Sequence, residues 1–216
     1  CNYDFSNDVI IRIQINTDGS RGSYNSSWAT STHGLNVNIG LLIYNGYIYV
    51  ANNGNSSISQ ISLINTNSDY NPSWATSSQG LYYPQGGLAT DNKYIYVTSI
   101  NSISQISLPQ RSPWAILADA PAATCTSMTI DNSGMYMYVS SAANTGEIDR
   151  ISLTNPSTDN TVWASNAIQG IKDPQQMVLY NGYLYVACNN DSSEDYYISK
   201  ISLTNPTSEY DTYWVN

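Results

Sequence analysis

Apolar and polar residues alternate over short stretches of this chain, and the same stretches return several times. Residues 47–50 read Tyr-Ile-Tyr-Val, and residues 58–63 read Ile-Ser-Gln-Ile-Ser-Leu. Such alternation of β-branched or aromatic residues with small polar ones predicts short β-strands that are buried on one face. Asn and Gly residues separate the stretches, and these residue types predict tight turns.

The repeated stretches follow a regular period along the whole chain. The Ile-Ser-type strand begins, with looser first and fourth copies, at Ile10, Ile58, Ile103, Ile148 and Ile198. The Tyr-x-Tyr strand begins at Tyr47, Tyr94, Tyr136 and Tyr183. A repeat of roughly 40 to 50 residues with several short strands per unit is typical of a β-propeller. Helical solenoids of similar period would need apolar residues at a spacing of 3.6, which this chain does not show.

The repeat divides the chain into one partial unit and four complete units. We predict an all-β protein, a single β-propeller domain over residues 1–216 with four-stranded blades. The partial blade covers residues 1–30, and the complete blades cover about 31–77, 78–117, 118–165 and 166–216. We expect these blades to belong to a five- or six-bladed ring. The partial blade has its third and fourth strands only, which is the pattern of a piece of a longer chain or of a ring with one thin blade.

Large aromatic residues occur at regular places in the repeat. One tryptophan closes each unit, and the set is Trp28, Trp74, Trp114, Trp163 and Trp214. A carbohydrate-stacking surface would use such residues, but a large side chain repeated once per blade more simply fills the space between adjacent blades. We therefore expect the tryptophans to be buried.

The composition limits the classes of partner. Only 11% of the residues are charged, the formal net charge is −9, and Ser, Asn, Thr and Gln fill the predicted turns. A negative charge argues against binding of a nucleic-acid backbone. No run of 18 apolar residues occurs, so no transmembrane helix is predicted. Few charges and many neutral polar residues favour an extracellular location or the surface of a virion or cell.

Three sequence motifs match the acceptor for N-linked glycans. They begin at Asn25, Asn55 and Asn190, and all three lie in predicted loops, as the modification requires. A chain this rich in Asn and Ser also produces such motifs by chance. Glycans at these sites would imply a secretory route.

The three cysteines are Cys1, Cys125 and Cys188. Cys1 and Cys188 occupy matching places in the first and last units, but matching places in neighbouring blades are usually too far apart for a disulfide. Three free thiols are therefore the simpler expectation, with a Cys1–Cys188 bridge as the alternative. Cys1 would also suit the lipidated first residue of a bacterial lipoprotein.

The second unit carries the residues of a family resemblance. Residues 84–97 read Pro-Gln-Gly-Gly-Leu-Ala-Thr-Asp-Asn-Lys-Tyr-Ile-Tyr-Val, and residues 123–140 and 173–187 are similar. This pattern resembles the repeats of NHL-type, YncE-like and SMP-30-like propellers. The Asp-x-x-Asn-x-Arg stretch that follows the Tyr-Val strand in those families is replaced here by Ser- and Asn-rich loops. The resemblance implies the fold, and one fold hosts many functions.

The resemblance also suggests which chemistry to look for. The NHL-type lyases hold zinc with several histidines, whereas this chain has only His33, which we expect to be a surface loop residue. SMP-30-like lactonases use carboxylate and Asn oxygens around Ca²⁺, for which the candidates here are Asp173, Asn189 and Asp191, with Asn190, Asn52 and Asn53 beside them. We expect no cofactor other than a possible Ca²⁺ ion at these residues.

Exposed tyrosines are the candidates for a binding surface. Tyr82, Tyr83, Tyr196 and Tyr197 lie in predicted loops or at strand edges, where aromatic residues mark contacts with partners. No nucleophile elbow and no phosphate-binding loop is present in the sequence. We therefore expect a non-catalytic module that binds a protein, including another copy of itself through the open half blade. The alternatives are an SMP-30-like metal-dependent lactonase and a lipoprotein anchored through Cys1.

Overall fold

A computed structural model describes residues 8–108, 114–118, 125–141, 146–156, 160–190 and 195–215. The chain forms two compact units, which divide between Pro84 and Gln85. Each unit is built from antiparallel sheets of strands that follow one another in the chain.

The first unit holds a two-stranded sheet followed by a four-stranded sheet. The two-stranded sheet consists of β1 (Ile10–Ile15) and β2 (Arg21–Ala29). The four-stranded sheet contains β3 (Asn38–Tyr44), β4 (Tyr47–Asn52), β5 (Ser57–Ser62) and β6 (Tyr70–Ala75), in that spatial order.

The second unit holds three four-stranded sheets, each with its strands in chain order. The first contains β7 (Leu88–Thr90), β8 (Tyr94–Ser99), β9 (Ser102–Ser107) and β10 (Trp114–Ala118). The second contains β11 (Cys125–Ile130), β12 (Tyr136–Ser141), β13 (Glu147–Ser152) and β14 (Asn160–Ser165). The third contains β15 (Pro174–Tyr180), β16 (Tyr183–Asn190), β17 (Asp195–Ser202) and β18 (Tyr210–Val215). The first strand β11 contacts the first strands of the other two sheets, β7 and β15.

These sheets are the blades of a β-propeller, and the predicted fold class is confirmed. Each complete blade is a meander whose second and third strands lie between the first and the fourth. Helical structure in the described residues is limited to one-turn segments at Ser31–His33, Ser77–Gln79 and Asn166–Gln169. None of the helices described is long and apolar enough to cross a membrane.

The hairpins between the first and second strands form because of their turn residues. Asn45 and Gly46 both adopt positive φ, 47° and 80°, and Asn181 and Gly182 repeat this with 48° and 79°. Two successive residues of positive φ make the turn whose twist matches that of the strands it joins. Asn and Gly adopt this conformation at the lowest cost, which is why the sequence places them there.

Alternation along the strands explains the core between successive sheets. Trp28 of the two-stranded sheet is 7% exposed and packs in one apolar cluster with Leu35, Ile48, Val50 and Ile61 of the following blade. In the second unit Trp163 occupies the same place and packs with the Ile and Val residues of the last blade. The prediction that a tryptophan fills the space between blades is confirmed at these two positions.

Two of the tryptophans depart from this arrangement. Trp114 is 42% exposed, because β10 pairs with β9 so that Trp114 lies opposite Ile106. In β6 the tryptophan is the residue before the last one of the strand, and in β10 that position is Leu117. Leu117 packs against the core between the first and second sheets of the second unit. The expectation for Trp114 was therefore wrong. Trp214 keeps its place in β18 but is 46% exposed.

The different burial of these tryptophans predicts different effects on stability. We expect Trp74→Ala, at a residue only 3% exposed, to lower the free energy of unfolding by about 3 to 5 kcal/mol. Trp114→Ala should lower it by about 1 kcal/mol, since much of that side chain is already in contact with water. Urea denaturation followed by circular dichroism measures both values, and equal losses would contradict the assignment.

One carboxylate is buried in the third strand of the second unit's middle blade. Asp149 is 6% exposed and stands where the other complete blades have buried serines, Ser59, Ser104 and Ser199. Burial, with a smaller contribution from the nearby Glu147 charge, raises the pKa of Asp149 from its ordinary value of 3.8 to about 6. The folded chain therefore binds this proton more tightly than the unfolded chain does.

This shift predicts a pH-dependent stability. The stabilisation from protonated Asp149 is fully present below about pH 4 and is lost as the pH rises through about 6. Asp149→Asn should raise the free energy of unfolding at pH 8 by about 2 kcal/mol and leave it nearly unchanged at pH 4. Denaturation curves at both pH values test this, with Glu147→Gln as a control that gives a smaller gain. An equal effect of Asp149→Asn at both values would contradict the prediction.

Candidate functional site

The loops that lead into the first strand of a blade share one design. A short helical turn ends at a glycine of positive φ, which is 84° at Gly34, 76° at Gly80 and 69° at Gly170. A buried apolar residue then anchors each loop to the core: Leu35, Leu81 and Ile171. The two residues that follow this anchor lie between the helical turn and the first strand of the blade, which restrict their position.

His33 belongs to the turn that starts the first of these loops. Its Nδ1 accepts a hydrogen bond from the backbone N–H of Thr30 at 3.1 Å, and its ring lies 4.7 Å from that of Tyr70. Gln79 makes the corresponding bond through Oε1 to the N–H of Thr76 at 2.9 Å. His33 is only 7% exposed, so the expectation of a surface loop residue was wrong. It caps the turn, as Gln79 does in the next loop.

Each loop then places a non-glycine residue in the left-handed backbone region. The φ angles are 51° at Val37, 46° at Tyr83 and 36° at Asp173. This conformation is costly for a β-branched or aromatic residue, and it persists only where hydrogen bonds fix the loop. A backbone hydrogen bond to this residue recurs in two of the loops. Asn53 N–H donates to the Val37 carbonyl, and Asn189 N–H donates to the Asp173 carbonyl.

The loop of residues 81–84 presents the predicted aromatic pair. Tyr82 and Tyr83 are 59% and 43% exposed, and their rings meet edge to face at 4.8 Å. The backbone N–H of Tyr83 donates to Ser56 Oγ at 3.1 Å, and Asn53 Nδ2 donates to the Pro84 carbonyl at 3.1 Å. Two rigid exposed rings on a fixed loop offer a large contact area at little entropic cost. We name this pair the Tyr82–Tyr83 surface.

The candidates for Ca²⁺ lie partly within the described residues. Asp173 and Asn189 come together, and Asn189 Nδ2 donates to Asp173 Oδ2 at 3.4 Å. Asp191 lies outside the described residues. Asn52 is fully buried, accepts from Asn36 N–H and donates to Ser59 Oγ, so its amide serves the fold. No group of three or more His, Cys, Asp and Glu side chains that could hold a metal occurs in the part of the chain that is described.

The other predicted tyrosine pair is divided between the two faces of β17. Tyr196 is 71% exposed, as predicted for a binding residue. Tyr197 is only 4% exposed, so its prediction as a surface contact was wrong. Its hydroxyl donates to the Gly170 carbonyl at 2.7 Å and accepts from Lys172 N–H at 3.1 Å. Burial is the main cause that raises the pKa of this hydroxyl, and Tyr197 ties the last of the three loops to its blade.

The glycan acceptors and cysteines are placed as follows. Asn25 and Asn55 are exposed, but Asn25 lies within β2, where its Oδ1 accepts from Ser27 N–H, and not in a loop. Asn190 ends β16, and its side chain is outside the description. Cys125 and Cys188 are buried. Cys1 is outside the described residues, so its bridge and its lipidation stay predictions.

Reasoning from the sequence missed the strained loop residues, although one signal was available. A Ser or Thr followed three or four residues later by Gln or His, and then by Gly, precedes each loop. This arrangement marks a capped turn that ends in a left-handed glycine. The positive φ of the next residues depends on hydrogen bonds to another loop, which no local pattern reveals.

Comparison with known proteins supports the fold alone. No protein-family model matches the chain, and no curated protein is significantly similar to it in sequence. Solved structures do match. A chain of a nidogen–laminin complex superposes with a TM-score of 0.62 at 13% identity, over 94% of this chain and 90% of that one. The hydrazine synthase of Kuenenia stuttgartiensis gives 0.60 at 11% identity, over 80% of this chain and 48% of that one.

A third similar structure is the extracellular domain of a hybrid two-component system from B. thetaiotaomicron. Its TM-score is 0.60 at 10% identity, and the match covers 95% of this chain but 27% of that one. The chain thus spans about half of the hydrazine synthase chain and about a quarter of the two-component chain. These similarities agree with a β-propeller. The narrower resemblance to NHL-type, YncE-like and SMP-30-like propellers stays a prediction.

The strained loop predicts a substitution that stabilises the chain. Among the described residues, Asn adopts positive φ at four hairpin or loop positions, Asn45, Asn92, Asn101 and Asn181. Tyr83→Asn should therefore raise the free energy of unfolding by about 1 kcal/mol, because Asn tolerates the left-handed region and 43% of the lost side chain is already exposed. Tyr82→Asn, the control at the neighbouring position, should give no gain. Urea denaturation measures both, and a loss of stability in Tyr83→Asn would contradict the strain.

Proposed function

We propose that this chain is a non-catalytic, extracellular protein-interaction module that binds its partner through the Tyr82–Tyr83 surface. The observation that carries the proposal is the strained and doubly hydrogen-bonded loop that holds two exposed tyrosine rings in one fixed orientation. Backbone strain of this kind is retained where it serves a function.

The chemistry of this surface favours binding over catalysis. The rings and hydroxyls of two tyrosines form it, and tyrosine is enriched at the centres of protein interfaces. Tyr82 and Tyr83 contribute large apolar area with a polar tip, so they bind without burying an unpaired charge. A catalytic site would instead need titratable groups of matched pKa within hydrogen-bonding reach of each other.

The structural neighbours support an extracellular role for the fold. One is an extracellular domain, and another occurs in a complex of nidogen with laminin. The composition agrees with this, since few charges and a predominance of Ser, Asn and Thr suit a chain outside the cell. For the lactonase alternative, the described residues bring together only Asp173 and Asn189 of the predicted calcium ligands.

Site-specific photocrosslinking tests the proposal. A photoreactive phenylalanine analogue at position 82 should crosslink a defined protein from the extracellular fraction of the source organism. The matched control places it at position 180, because Tyr180 is 70% exposed in a different hairpin. Tyr83→Ser should reduce the yield from position 82 at least fivefold. Equal products from positions 82 and 180, or a yield unchanged by Tyr83→Ser, would refute the proposed surface.

A further inference from the structure

The two-stranded sheet is the outer half of a blade. In the described residues β1 is hydrogen-bonded to β2 alone. The pairing of these strands repeats that of β5 with β6, including an irregularity at the same place. The matching pairs are Ile10 with Ala29 and Ile58 with Ala75, then Arg12 with Asn25 and Gln60 with Asn71. The edge of β1 is therefore the edge to which a complete blade pairs its second strand.

The complete blades show what occupies that edge. In three of the four complete blades, the second tyrosine of the Tyr-x-Tyr strand packs against the tryptophan of the fourth strand. The ring centroids of Tyr49 and Trp74 are 4.9 Å apart at 73°, and those of Tyr138 and Trp163 are 4.9 Å apart at 71°. The same contact joins β16 to β18 at 4.9 Å. The second strand thus inserts a tyrosine beside the tryptophan of its own blade.

The third-strand residue opposite this second tyrosine also contacts a tyrosine of the motif. A glutamine contacts the second tyrosine, whereas an arginine or lysine contacts the first. Gln60 donates from Nε2 to the Tyr49 hydroxyl at 2.9 Å. Where the residue is a cation, it lies over the first tyrosine of the motif. The guanidinium carbon of Arg150 is 4.6 Å from the centre of the Tyr136 ring, and Lys200 Nζ is 4.2 Å from that of Tyr183.

The half blade carries both recognition elements with an open cavity between them. Arg12 occupies the place of Arg150 and Lys200, and Trp28 occupies the place of Trp74. Both residues line a cavity of about 400 Å³, together with Gln14 and Asn25. In the complete blades the corresponding space holds the two tyrosines of the second strand.

The opposite face of β1 is apolar and exposed. Ile11, Ile13 and Ile15 are 53%, 47% and 65% exposed. The residues that correspond to Ile13 in the first two complete blades, Ile61 and Ile106, are fully buried. In those blades the residue between the two tyrosines lies directly opposite this isoleucine. An apolar residue at that position of an incoming strand would cover Ile13.

We infer that β1 is a binding site for an extended polypeptide strand of the sequence Tyr-apolar-Tyr, which pairs antiparallel with β1. Its first tyrosine lies under Arg12, its second packs against Trp28, and its central residue covers Ile13. Strand addition of this type takes its affinity from backbone hydrogen bonds and its specificity from alternate side-chain pockets. The inference does not depend on the Tyr82–Tyr83 surface, because it involves other residues and another mode of binding.

A peptide of this chain supplies the probe. The hairpin of residues 38–52 contains both the Asn-Gly turn and the Tyr-Ile-Tyr-Val strand. A fluorescently labelled synthetic peptide of this sequence should bind the full chain saturably, at one peptide per chain, in a fluorescence anisotropy titration. The same peptide with serine in place of Tyr47 and Tyr49 should show no saturable binding.

Matched variants of the protein separate the site from non-specific adhesion. Arg12→Ser should weaken peptide binding by about 2- to 30-fold, the range expected for a cation–π contact. Lys200→Ser should leave the affinity unchanged, because Lys200 already covers a tyrosine of its own blade. Absence of saturable binding to the wild-type chain, or equal losses in both variants, would overturn the inference. The inference would also be overturned if the chain self-associates and Arg12→Ser abolishes that self-association, since a second copy of the chain would then occupy the edge of β1.

Discussion

The contact between a second-strand tyrosine and a fourth-strand tryptophan holds together three of the four complete blades. It joins strands that are not hydrogen-bonded neighbours, so it ties the second strand of the sheet directly to the fourth. Trp163, the partner of Tyr138, then offers its other side to the next blade, where apolar residues such as Leu184 and Val186 cover it. One pair of rings thereby contributes both to the sheet and to the packing between sheets. Burial of such rings is among the largest favourable contributions available to a chain with so few charges.

Much of the fold could be predicted from the sequence, because strand position depends on local alternation and on Asn-Gly turns. The errors arise where a distant contact decides the outcome. Trp114 follows Ile106 by eight residues, whereas Trp74 follows Ile61 by thirteen, and this shorter spacing moves Trp114 out of the core. Tyr197 is buried because its hydroxyl meets backbone groups 25 and 27 residues away. The strain at Tyr83 likewise depends on Ser56 in another loop.

The two candidate binding features differ in physical origin. The Tyr82–Tyr83 surface is a finished element, in which buried Leu81 and two hydrogen bonds hold exposed rings on a strained loop. The edge of β1 is instead an incomplete element, whose residues are those that a complete blade covers. Arg12, Trp28 and Ile13 have the same places as buried or paired residues elsewhere in the chain. The first feature suits a folded partner, and the second suits an extended strand.

The equivalence of β1 with the third strands of the complete blades is the central claim, and hydrogen exchange tests it most directly. Hydrogen–deuterium exchange of the intact chain, read by mass spectrometry, compares the amides of residues 10–15 with those of residues 57–62. The third strand β5 is paired on both sides, so all of its amides should exchange slowly. Because β1 is paired on one side in the described residues, about half of its amides should exchange at least a hundredfold faster. Uniform slow exchange over residues 10–15 would contradict an open edge and the account built on it.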